Sequence, residues 1–347
     1  MSKKMKAAVL SEVGKIVIEE REIPEIKENE VLVKIKHVGI CGSDLHYYEH
    51  GRIGDFIVKN PIVLGHECAG DIVAIGEGVA GFNIGDRVAL EPGRTCGKCE
   101  YCKTGRYNLC PDVVFMATPP HDGAFTEYVA YPADMAFKLP QGVSTLEGAL
   151  IEPLAVGFHA ANQGNAQIGQ TAVIIGSGCI GLVTLLALRA QGITRVFVAD
   201  MIPKRLEKAK ELGAAEVFKV DEVNLKDAVM EKTAGLGVDL VIETAGNNKA
   251  TQQTVELVKR GGKIVLVGMA PEAVIPYDLG QLISKEASIH TVFRYRNLYP
   301  AAISAVAEGL IPIKRIATDM FKFEDIKEAM KYASENKGSV VKGVIEF

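Results

Sequence analysis

Residues 173–181 read VIIGSGCIG, so Gly176, Gly178 and Gly181 stand between a short apolar run and a helix-forming stretch, LVTLLALRA. Three more apolar runs follow, RVFVAD, VDLVIETAG and GKIVLVGM, with helical stretches such as IPKRLEKAKELGA between them. Strands that alternate with helices predict a parallel sheet with crossover helices, an α/β architecture. The N-terminal part reads differently. VLVKIKHVGI and FTEYVAY alternate apolar and polar residues, and GEGVAGFNIGDRV supplies turns, which together predict a β-rich domain. A chain of 347 residues has room for about two domains at ~150 residues each. The expected division is a β-rich domain over 1–155, an α/β domain over 156–295 and a C-terminal segment over 296–347. That last segment carries an amphipathic helix, FEDIKEAMKYASE, with Phe323, Ile326 and Met330 on one face, and ends in the strand-like VVKGVIEF.

The glycine spacing has a physical reading. Gly176 permits a tight turn, Gly178 lets the backbone approach a pyrophosphate, and Gly181 lets the helix pack close to the strand. The helix N-terminus then offers N–H groups and a positive dipole end to the phosphates. Asp200 lies 19 residues beyond Gly181 at the end of the next apolar run, close to the ~20 expected for a carboxylate that binds ribose hydroxyls. Such a carboxylate repels a 2′-phosphate, so NAD is expected over NADP. Lys204 and Arg205 follow; they read as a solvated helix start, as a phosphate contact, or, for Arg205, as a residue along the adenine. The alternative for the whole motif is a strand–helix turn with no ligand.

Four of the seven cysteines form Cys96-x-x-Cys99-x-x-Cys102-x7-Cys110, in a lobe spanning about residues 93–112. Four thiolates on one short loop close a tetrahedron around zinc and leave no open position, which implies a structural site. Disulfides would need an oxidising compartment that no export signal supports. Lys98, Glu100 and Lys103 interleave the cysteines and argue against apolar burial.

Outside that lobe, Cys41 sits in GICGSDLHYYEHG, and His66 with Glu67 sits in VLGHECAG. One thiolate, one imidazole and one carboxylate from turn-like segments suit catalytic zinc, which keeps one position open. Glu152, in ALIEPLAVG at the expected domain junction, is a fourth candidate. Each residue alone has an ordinary reading, and spacing does not show that the segments meet. Cys68 and Cys179 read as packing residues.

The charge balance, 39 basic against 43 acidic side chains, leaves no basic excess for nucleic acid. Thr171 to Leu188 is an uncharged stretch of 18 residues, long enough to span a bilayer, but its glycines and its strand-like first half read as the nucleotide turn instead. A cytoplasmic protein with no membrane and no nucleic-acid partner is expected.

These features together resemble the zinc-dependent medium-chain alcohol dehydrogenases over essentially the whole chain. GHECAG resembles that family's zinc signature and CGKCEYCKTGRYNLC its structural-zinc lobe. HYYEHGRIGDFIV, FMATPPHDGAF, ALIEPLAVG and VFRYRNLYPAAI resemble segments of its sorbitol (L-iditol) and xylitol dehydrogenase branch. Some animal members of the branch lack parts of the cysteine lobe; this chain keeps all four ligands. The resemblance implies a GroES-like catalytic domain, a doubly wound Rossmann domain and a return segment. It implies two zinc ions per chain, NAD, and a homotetramer.

The resemblance also implies site roles. Cys41 and His66 would hold catalytic zinc, with Glu67 as third ligand or exchanging with Glu152. Ser43 and His46 match the proton relay. Tyr47, Arg294 and Tyr295 match polyol contacts, and Ile180, Asp200, Arg205, Gly268 and Phe293 match cofactor contacts alongside Gly176, Gly178 and Gly181. The implied reaction is oxidation of a polyol at a secondary hydroxyl to a ketose. The alternatives are another secondary alcohol, such as a butanediol, threonine or a sugar phosphate, and a non-catalytic NAD-binding protein.

Overall fold

The computed structural model describes residues 4–272 and 274–347. The chain forms two compact units: Met1–Glu152 together with Tyr299–Phe347, and Pro153–Leu298.

In the first unit a seven-stranded sheet carries the chemistry. Its order is Ala136–Lys138, Arg87–Leu90, Glu67–Ile75, Glu30–Gly39, Gly343–Glu346 and Asp319–Lys322, and Tyr128–Pro132 also pairs with Glu30–Gly39. The alternation read in VLVKIKHVGI is that of Glu30–Gly39, where Val31, Val33, Ile35 and Val38 are buried. A three-stranded sheet, Lys15–Glu22, Lys4–Glu12 and Ile62–Val63, packs into the same core. The C-terminal segment returns here. Phe323, Ile326 and Met330 are buried in this core, and Gly343–Glu346 pairs antiparallel with residues 37–39. The helix in that segment is Ile326–Glu335, preceded by a 3-10 turn at Phe323–Asp325.

The second unit holds six parallel strands in the order Glu216–Lys219, Arg195–Asp200, Thr171–Ile175, Val238–Glu243, Val258–Leu266 and Ser288–Thr291. The strand direction of build-up reverses at Thr171–Ile175, so the carboxyl end of that strand is the switch point where ligands bind in such sheets. The helix after the glycine turn spans Cys179–Ala190. It begins two residues before Gly181 rather than after it, so the third glycine lies inside the first turn. The uncharged stretch from Thr171 to Leu188 is thus one strand and most of one helix. Among the described residues no helix is long and apolar enough to cross a membrane.

Candidate active site

Strand pairing builds a cluster of donors in the first unit. Glu67 opens the strand Glu67–Ile75 opposite Gly39. A Cβ on Gly39 would overlap Glu67 Oε2, so this position needs glycine to leave the carboxylate its place. Two residues beyond Gly39, Cys41 caps the helix Gly42–His50 in extended conformation. Asp44, in the first turn, accepts the Cys41 N–H at 2.9 Å through Oδ2. Its Oδ1 accepts the N–H of Gly65 at 2.9 Å and lies 3.7 Å from His66 Nδ1. One fully buried carboxyl therefore ties the Cys41 turn to the His66 turn. Gly65 has φ +85°, a left-handed conformation that a side chain would strain.

The result is that one ligand atom from each of Cys41, His66 and Glu67 lies within 4.8 Å of the others. Sulfur, imidazole nitrogen and carboxylate oxygen form a three-ligand set of the kind that holds zinc with one position open. The electrostatics agree. Burial alone would lower the pKa of His66, but the charges of Asp44, Cys41 and Glu152 raise it to about 10. A place that stabilises an added positive charge so strongly fits a cation. Glu152 lies in the first turn of the helix Ile151–Gln163 and is buried, but it is outside the close trio; its charge acts on His66 and Cys68.

Ser43 and His46 both lie on the helix Gly42–His50, three residues apart and so on one side of it. Ser43 is half-buried; His46 is exposed, with its ring 5.1 Å from that of His50. Tyr47, on the same helix, is buried in the core of the unit.

The cysteine lobe has the dimensions of a metal site. Sγ of Cys102 lies 3.9 Å from that of Cys96 and 3.5 Å from that of Cys99. A tetrahedron with Zn–S bonds of ~2.3 Å has edges of ~3.8 Å. All four cysteines are free thiols, and Cys110 completes the group. Backbone N–H groups of Lys98 and Cys99 point at the Cys96 sulfur and pull its pKa down to about 7, which favours the thiolate a metal needs.

In the second unit the glycine turn forms one wall of a cavity of about 1090 Å³, lined among others by Gly176, Gly178, Asp200, Arg205 and Asn247. Gly176 has φ +99°. A Cβ on Gly181 would overlap the carbonyl of Gly176, so close packing requires this glycine. A Cβ on Gly178 would meet only Arg205 Nη1, at 3.7 Å. The space beside Gly178 is therefore kept clear of protein, at the start of a helix that no side chain caps. That is a cradle suited to phosphate. Asp200 braces the turn: Oδ2 accepts from Ser177 N and Oγ at 2.6 and 2.9 Å, and Oδ1 accepts from Ile202 N at 2.9 Å.

Ile180, Gly268 and Phe293 are not among the residues lining that cavity. Ile180 is half-buried on the helix, and a Cβ on Gly268 would overlap Gly246 N. Phe293 is exposed beneath the Arg294 guanidinium, 4.9 Å from its ring centre. Tyr295 is buried.

Two residues with a part in the site escape motif reading. Asp44 stands between the relay candidates in CGSDLH, and an acid three residues past a ligating cysteine was the available signal. Lys342 places Nζ 2.7 and 2.8 Å from the two oxygens of Glu67. In sequence it is one of two charges, with Glu346, in an otherwise apolar tail.

Two family profiles match the chain, alcohol dehydrogenase GroES-like domain over residues 27–141 and zinc-binding dehydrogenase over 179–308. The sorbitol dehydrogenase of Bacillus subtilis (strain 168) is 45% identical over 341 residues, covering 98% of this chain and 97% of that protein. The chain belongs to the zinc-dependent medium-chain alcohol dehydrogenases. Solved structures of such dehydrogenases superpose closely on it. An Escherichia coli oxidoreductase/dehydrogenase of unknown specificity involved in membrane biogenesis has a TM-score of 0.96 at 43% identity, covering 99% of both chains. An alcohol dehydrogenase from E. coli CFT073, complexed with NADH, has a TM-score of 0.93 at 32% identity, covering 100% of both. This medium-chain dehydrogenase is thus an oxidoreductase built from a GroES-like and a Rossmann-like domain, as read from its sequence.

Proposed function

We propose that this dehydrogenase oxidises a polyol of the sorbitol, L-iditol or xylitol type at a secondary hydroxyl, giving the ketose, with NAD as hydride acceptor. The observation that carries the reading is the approach of Cys41, His66 and Glu67 to within 4.8 Å, in a chain 45% identical to a sorbitol dehydrogenase. Zinc held there supplies Lewis acidity, which lowers the cost of removing a proton from a hydroxyl group. Cys41 and His66 would hold it, with Glu67 or Glu152 as the carboxylate. The buried carboxyl of Asp44 sits 3.7 Å from His66 Nδ1, within electrostatic reach of the ring.

Ser43 would relay the hydroxyl proton, accepting it as its own hydroxyl proton moves on, and His46, exposed on the same side of the helix, would deliver a proton to solvent. Imidazole has one nitrogen that accepts a proton and one that gives it up, which suits it to a relay. Gly178 and the uncapped helix start receive the pyrophosphate, and Asp200 receives the adenosine ribose. Tyr47, Arg294 and Tyr295 would hold the remaining hydroxyls. In keeping with the resemblance, we take the working form to be a cytoplasmic homotetramer.

NADH production across C4 to C6 polyols, with and without chelator, tests the reading. Turnover of sorbitol or xylitol that disappears with the metal supports it. Full turnover by chelated enzyme, or strong turnover of threonine or a butanediol with none of any hexitol or pentitol, overturns it.

A further inference from the structure

The C-terminal segment delivers a buried cation to the metal-ligand cluster. Lys342 immediately precedes the strand Gly343–Glu346, whose pairing with residues 37–39 runs the chain past Cys41. The N–H of Ile40 donates to the Gly343 carbonyl at 2.9 Å, which fixes the register. The ammonium of Lys342 then bonds Glu67 Oε1 at 2.7 Å, Oε2 at 2.8 Å and the Ile40 carbonyl at 3.0 Å. Lys342 is 3% exposed and Glu67 1%. All three donors of the ammonium are directed, so its position is set by the fold and not by solvent.

The geometry points to Lys342 as a positioning residue that competes with the metal for Glu67, weakening zinc retention and keeping the ion electron-poor. The inference rests on the metal-centre reading above. Charge accounting carries it. A thiolate and a carboxylate neutralise a divalent ion, whereas Lys342 binds both oxygens of that carboxylate and brings a further positive charge beside it. Two cations sharing one buried carboxylate each bind it less well than either alone. With its carboxylate shared, Glu67 would give a zinc ion less negative charge and leave it a stronger Lewis acid toward a substrate oxygen. Removing the ammonium leaves Glu67 buried without a counter-charge, a state relieved by tighter metal binding.

The test is chelator competition on the full chain. Cys41→Ala serves as the baseline for zinc held by the four-cysteine lobe alone. Lys342→Met is expected to hold the second zinc at least tenfold more tightly than the wild type, and to gain more in Tm on zinc addition. Its kcat is expected to fall although metal is better retained, a combination that simple loosening of the fold does not produce. Lys342→Arg is expected to stay within about threefold of wild-type zinc affinity. In a Glu67→Gln background, Lys342→Met is expected to have no tightening effect.

Equal or weaker zinc retention in Lys342→Met, or tightening that persists without Glu67, overturns the inference. Should Lys342→Met fail to fold, Lys342→Gln, which keeps an amide donor for Ile40, takes its place in the same comparison. A wild type that holds zinc only in the cysteine lobe overturns the metal-centre reading and this inference together. A wild type with two zinc ions and an unresponsive Lys342→Met overturns this inference alone.

Discussion

Asp44 Oδ1 lies 3.7 Å from Nδ1 of His66, while the same carboxyl accepts the N–H groups of Cys41 and Gly65, each at 2.9 Å. It thus lies in electrostatic contact with the ring of one candidate ligand and holds the backbone on either side, at Cys41 and at Gly65. Outer partners of this kind typically contribute 10- to 100-fold in metal affinity. Asp44→Asn turns an N–H donor toward one of the two backbone N–H groups and weakens the hold on the His66 ring. The expected outcome is a loss of about 10- to 100-fold in affinity for the second zinc, with the lobe zinc retained. Zinc per chain after dialysis against a weak chelator measures it; wild-type retention would show that Asp44 has no such part.

Why the fold was legible while the site was only half so follows from particular residues. The strands RVFVAD and VDLVIETAG are buried on both faces and stand out as apolar runs. Glu216–Lys219 and Ser288–Thr291, at the edges of the same sheet, are four residues each, with two and three polar residues, and they leave no run to see. The helix Ile151–Gln163 was hidden by Pro153, which is tolerated in its first turn because no N–H is needed there. Metal chemistry restricts donors to a few residue types, so Cys41, His66 and Glu67 were nameable as candidates. Their meeting depends on the register of Gly39 against Glu67, a long-range pairing that local spacing does not encode. Lys342 was invisible for the same reason: it reaches Glu67 from 275 residues away.

Asp200 holds three donors of its own chain, two from Ser177 and one from Ile202. It therefore shapes the turn and also presents negative charge to the cavity. Asp200→Ala is expected to raise the KM for NAD by about 10-fold or more, since hydrogen bonds to charged groups are worth about 1.5–3 kcal/mol. The same change removes the repulsion of a 2′-phosphate, so the NAD/NADP ratio of kcat/KM is expected to fall further than NAD binding alone accounts for. Steady-state kinetics with both cofactors measures this. A raised KM with an unchanged ratio would mean that Asp200 braces the turn and does not select the cofactor.

His159, on the helix Ile151–Gln163, is 4% exposed. Burial, reinforced by the positive charge of Arg296, lowers its pKa from 6.5 to about 4. The sign of the linkage follows directly. Above pH 6.5 neither the folded nor the unfolded form carries the proton, and His159 has no effect on the balance. Between pH 6.5 and 4 the unfolded chain takes up a proton that the folded chain refuses, so stability is lost as pH falls through that window. His159→Leu removes the group and is expected to flatten the decline of Tm between pH 6.5 and 4.5, without altering the trend above pH 7. Metal release in acid affects both proteins alike, so the difference between their slopes isolates this residue. Parallel curves would place the proton affinity of His159 near that of an exposed imidazole.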